Sequence, residues 1–145
     1  MTPHFHRARL LMEHRRYAQA VDSLQATIAE EPEFGPAHAL LAICQAKLEN
    51  FPAAMQAAQT AVRLEPDNDH HLYTMAIVLH GQNQFDEAEK TIQAAIRLEP
   101  TEPGSHALLS NIYLDTEAWT KALHAANEGL RLDPENVRCA NLRAI

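Results

Sequence analysis

The sequence predicts an all-α fold: a solenoid of four 34-residue helix-turn-helix repeats followed by the start of a fifth. Three observations carry that expectation. Proline recurs at 32, 66, 100 and 134, each time closing a similar phrase: Glu31-Pro32, Leu64-Glu65-Pro66, Leu98-Glu99-Pro100 and Leu132-Asp133-Pro134. Between the prolines, apolar residues recur at helical spacing in two runs per unit, so each unit reads as a helical hairpin. Small residues return at fixed places: position 8 (Ala8, Ala42, Ala76, Ser110), position 20 (Ala20, Ala54, Ala88, Ala122) and position 27 (Thr27, Ala61, Ala95, Gly129). A unit this short cannot bury its own apolar face, so the copies must stack and share one core.

Counted with proline at position 32, the chain reads as one domain over 1–145. Its repeats are 1–34, 35–68, 69–102 and 103–136, and 137–145 opens an incomplete fifth. The expected helices are 3–14, 18–30, 36–48, 52–64, 70–81, 86–98, 105–116 and 120–132. Pro36 and Pro52 suit the first turn of a helix, where no amide donor is needed, and Asp86 is placed to cap the second helix of the third copy. Small residues mark where paired helices approach closely, so Ala54→Leu or Ala88→Leu should overpack the contact by about 1 to 3 kcal/mol. Position 17 carries an aromatic in every copy (Tyr17, Phe51, Phe85, Trp119), expected to fill the space at the hairpin turn. On that expectation loss of Trp119 would cost about 3 to 5 kcal/mol.

Composition narrows the classes of function. The chain has 145 residues, is 46% hydrophobic and carries a net charge of −7, which repels nucleic-acid backbones and anionic membrane surfaces. Protonating all nine histidines would bring that charge to +2, a property of the surface rather than a purpose. No export signal and no run of 18 apolar residues is present. Cys44 and Cys139 lie in different repeats, which points to a reducing compartment and a cytoplasmic location. Chemistry is equally sparse. The pairs His4/His6 and His70/His71 cannot converge from one helix, no set of zinc ligands has the required spacing, and no phosphate loop or nucleophile elbow occurs. The expectation is therefore no enzyme, no metal and no cofactor. Cys44 reads as a core thiol, and His38 and His106 as packing residues with one ring nitrogen wet.

The combination of a small residue at 8, an aromatic at 17, alanine at 20 and proline at 32 on a 34-residue period resembles the tetratricopeptide repeat family, over residues 1–136. The sequence departs from the family at position 4, often tryptophan there, and at position 15, where Arg15, Glu49, Asn83 and Glu117 replace a turn glycine. Of these only asparagine readily accepts a left-handed backbone.

The resemblance implies a right-handed superhelix whose concave side is lined by first helices, mainly at positions 2, 5, 9, 12 and 13. It implies a noncatalytic scaffold for a partner peptide or helix, with Phe5, Arg9, Met12, Ile43, Lys47, Tyr73, Ile77, His80, Asn111 and Leu114 as groove residues. Family members that clamp chaperone C-terminal carboxylates place lysine, asparagine and arginine at positions 5 and 9. Here Ile43, Tyr73 and Ile77 occupy those slots, so that ligand is not expected. Phe5 and Tyr73 suit contact with a partner, Ile43 and Ile77 suit contact or internal packing equally, and Asn111 can bond a peptide backbone. Two other functions are open: self-association into an oligomer, and recruitment for an activity beyond Ile145. The sequence reads as a fragment whose array continues past Ile145, since Cys139, Leu142 and Ile145 do not make a polar cap.

Overall fold

The computed structural model describes residues 3–135, and every element in that span is helical. In chain order these are α1 (Pro3–Glu13), α2 (Tyr17–Glu30), α3 (Gly35–Lys47), α4 (Phe51–Leu64), α5 (Asp69–Gly81), α6 (Phe85–Leu98), α7 (Pro103–Asp115) and α8 (Trp119–Leu132). They form four antiparallel hairpins. Each second helix also packs on the next first helix, α3 meets α5 and α5 meets α7, while successive second helices scarcely touch. From α3 to α7 the first helices therefore stand closer together than the second helices, and the first helices form the inner wall of the stack. The proposed opening of a fifth repeat at 137–145, with Cys139, lies outside the described residues.

The small positions are the contact points within this stack. Ala8, Ala42, Ala76, Ala20, Ala54, Ala88 and Ala122 are fully buried. Ser110 takes the same place in the fourth copy and satisfies its hydroxyl by donating to the Ala122 carbonyl at 3.0 Å, across the hairpin. Leu24, Ile92, Ile112 and Val78 fill the space between these close approaches.

All four hairpin turns share one backbone solution. Arg15, Glu49, Asn83 and Glu117 adopt φ of 58°, 62°, 62° and 60°, the left-handed conformation. Each amide bonds the carbonyl three residues back, and the next amide bonds the carbonyl five residues back, as in Arg15 N to Met12 O at 3.0 Å and Arg16 N to Leu11 O at 2.8 Å. This Schellman motif satisfies orphan carbonyls of the first helix and outweighs the steric cost to arginine and glutamate. The following residue also serves as N-cap of the second helix, and none of the four, Arg16, Asn50, Gln84 and Ala118, makes a side-chain cap bond. Accordingly Gln84 is the N-cap of α6 without a side-chain bond, and Asp86 is not a cap but a first-turn carboxylate favoured by the helix dipole. Side-chain caps occur where first helices begin, at Asn68 and Glu102.

Trp119 corrects a second expectation, because it is 62% exposed. In the second copy the position-17 aromatic, Phe51, lies against Gly81 at position 13 of the next repeat, whereas Phe85 leans on His80 of its own hairpin. Among the described residues nothing follows α8 to offer that surface to Trp119.

Histidines join the repeats. His38 Nε2 donates to the Pro32 carbonyl and His106 Nε2 to the Pro100 carbonyl, both at 2.9 Å, linking position 4 to position 32 of the preceding copy. Buried His71 instead donates Nε2–H to Glu65 Oε1 at 3.2 Å, and that hydrogen bond holds the Glu65 carboxyl below its ordinary range. Gly35 leaves room for the pair, since a Cβ there would collide with Glu65 Oε1.

Candidate functional site

The inner wall is built from one face of α1, α3, α5 and α7. Position 5 supplies its floor, where Ala39 and Ala107 are buried and bring the backbone of the wall close to the surface. Tyr73 is the large residue between them, half-buried and packed against the core of the third and fourth copies. Beside it lies a hollow of about 160 Å³ lined by Asp69, His70, Glu102, Gly104 and Ser105. That volume suits one side chain rather than a small-molecule ligand, whose sites usually run to about 300–1,000 Å³.

Ile43, Ile77 and Asn111 follow one another at position 9, all half-buried, and Leu114 and His80 share that degree of exposure at position 12. Arg9 and Lys47 are exposed. Met12 packs partly into the N-terminal core. Phe5, grouped with the contact residues from sequence, is a core residue instead: it is 5% exposed, and its ring meets Phe34 edge-on at 5.1 Å. Phe34 is the N-cap of α3, so this contact ties α1 to the start of α3.

One pairing on the wall was not foreseen. His80 Nε2 bonds Asp115 Oδ2, tying α5 to α7, and the imidazole also leans on Phe85 with centroids 5.7 Å apart. The signal was available in the spacing: a step of one repeat plus one residue brings position 12 against position 13 of the next copy. Cys44 is fully buried and burial pushes its thiol up to about 11, leaving it without thiolate character at neutral pH. Among the described residues no group of three or more His, Cys, Asp or Glu side chains is placed to hold a metal ion, and no helix is long and apolar enough to cross a membrane.

Stacked hairpins with a continuous, partly apolar inner wall define a helical-repeat solenoid. The chain belongs to the tetratricopeptide repeat family, whose model matches residues 11–76, 49–112 and 79–145. Its fold is similar to that of a thermophilic repeat protein of this kind from Thermus thermophilus, with a TM-score of 0.88 and 19% identity over 95% of this chain and 78% of that one. YrrB, described as having an unusual peptide-binding site, aligns with a TM-score of 0.82 and 18% identity over 98% and 73% of the two chains. MamA from Desulfovibrio magneticus RS-1 aligns at 0.77 and 19% identity over 94% and 77%. Identities this low carry the fold alone. No curated protein matches the sequence.

Proposed function

We propose that this protein is a noncatalytic scaffold that holds a peptide or helical segment of a protein partner along its inner wall. The observation that carries this reading is a stripe of half-buried side chains, Ile43, Tyr73, Ile77 and Leu114, left open along contiguous first helices and bordered by Arg9 and Lys47. Apolar anchors inside a polar rim are the anatomy of a peptide site. The peptide-binding description of YrrB, a protein of the same fold, is consistent with such a use.

A random-peptide library displayed on phage and selected against the chain tests the reading. Selected peptides should lose at least tenfold in affinity for the Tyr73→Ser/Ile77→Ser double variant and lose measurably for Arg9→Glu/Lys47→Glu, whose side chains are too exposed to affect folding. Unchanged affinity in both variants refutes the site. A concentration-dependent dimer seen by light scattering, and lost in the first variant, would reassign the wall to self-association.

A further inference from the structure

The second helices diverge on the outer side of the stack and leave a trench between each successive pair. Three such trenches occur in the same register. That between α2 and α4 measures about 350 Å³, that between α4 and α6 about 510 Å³, and that between α6 and α8 about 690 Å³. Position 7 of the intervening first helix floors each one, as Leu41, Met75 and Leu109. The repeat thus supplies its own controls.

The lips differ. Position 19 lies on the lip of every trench and reads Ala53, Glu87 and Lys121 in succession. The first trench is edged by Gln25, Gln45 and Gln56, and the second by Gln59, Gln82 and Gln84. The third has Arg97 on the α6 lip and Lys121 with His124 on the α8 lip, over a floor of Ile96, Leu109 and Ala125. Lys121 stands over the Tyr113 ring at 5.8 Å, and among the described residues no ion pair engages Arg97 or Lys121. Glu128 is the one acid that lines the trench, and it already accepts from Arg131 Nη2 at 3.0 Å, while nearby Glu89 interacts with the Tyr113 hydroxyl. In a chain of net charge −7, Arg97 near the end of α6 and Lys121 near the start of α8, neither in an ion pair, place two cations on opposite lips of the largest of the three trenches.

We propose that the trench between α6 and α8 is a docking site on the outer face for an amphipathic helix of a protein partner whose apolar stripe is flanked by carboxylates. A helix suits it better than an extended strand, because the walls are helices whose backbone groups are already paired and offer no edge to augment. It suits it better than a small molecule, because the trench is open along two helices of 14 residues, about 21 Å, and would leave such a ligand half in water. The partner's carboxylates would meet Arg97 and Lys121 while its apolar residues cover Ile96, Leu109 and Ala125. This site is separate from the inner wall and does not depend on it.

The test uses three fluorescein-labelled helical peptides sharing one leucine stripe at i, i+3, i+4 and i+7, flanked by Glu, Gln or Lys, titrated against the 145-residue chain by anisotropy. The Glu peptide should bind at least tenfold more tightly than the Lys peptide, and more weakly as salt is raised. Arg97→Glu/Lys121→Glu, which alters only exposed side chains, should reverse that order, whereas Tyr73→Ser/Ile77→Ser should leave it unaltered. Absence of binding, equal affinity for the three peptides, or loss of binding in the inner-wall variant alone would overturn the proposal.

Discussion

The ring of Phe51 lies so close over Gly81 that a Cβ on the glycine would stand 2.7 Å from the phenylalanine Cε1. Two neighbouring repeats are fitted together at this point, one contributing bulk and the other the lack of it. Gly81 is the last residue of α5, where alanine would otherwise gain about 0.5 to 1 kcal/mol of helix stability. Gly81→Ala should therefore fail to stabilise the wild type, yet stabilise a Phe51→Leu background by about that amount. Urea titration of the four members of this double-mutant cycle measures the coupling. Additive effects would show that the contact yields freely.

The left-handed turns store strain that glycine would relieve. A non-glycine residue pays about 1 to 2 kcal/mol for this conformation, against about 0.5 to 1 kcal/mol of extra chain entropy that glycine loses on folding. Glu49→Gly and Glu117→Gly should each raise stability by about 0.5 to 1 kcal/mol. Asn83→Gly should raise it less, since asparagine tolerates the conformation. Thermal melts of the three variants order them directly.

Trp119, at 62% exposure, contributes little to the core. Its replacement by alanine should change stability by less than about 1 kcal/mol, whereas Ile92→Ala, at a fully buried position, should cost about 2 to 5 kcal/mol. The indole, the single tryptophan of the chain, should also be freely quenched by iodide in the native state. A protected indole would place Trp119 in a contact.

Acid should weaken the joint between the second and third repeats. The hydrogen bond from His71 holds the Glu65 carboxyl below its usual range. A lowered folded value means that this contribution is complete above the ordinary glutamate value of about 4.3 and disappears as pH falls through the folded one. Stability measured by urea titration should therefore fall less steeply below about pH 4.3 in His71→Leu than in the wild type. Glu99 and Glu128, also lowered, are common to both proteins, so the difference isolates Glu65. Parallel curves would remove His71 as the cause.

Much of the fold was legible because the repeat states each instruction four times. The eight helices lie within two residues of the positions expected from periodicity, and the residues at positions 8 and 20 are buried as their size implied. Asp86 is not a cap because α6 begins at Phe85, which leaves Asp86 two residues past the N-cap Gln84. Phe5 and Trp119 depart in opposite directions from what their repeat positions imply, because what covers each lies outside its own pair of helices. Phe34 covers the first, and among the described residues no following repeat covers the second.

Period, helix type and close-approach points belong to the sequence alone, because they rest on spacing along the chain and on side-chain size. The tertiary structure decided what spacing cannot express: which side chains meet across repeats, as His80 meets Asp115, and how far the outer helices splay. Each outer trench is built from side chains of three helices in two successive copies. The largest of them therefore becomes visible only once the third and fourth hairpins stand side by side.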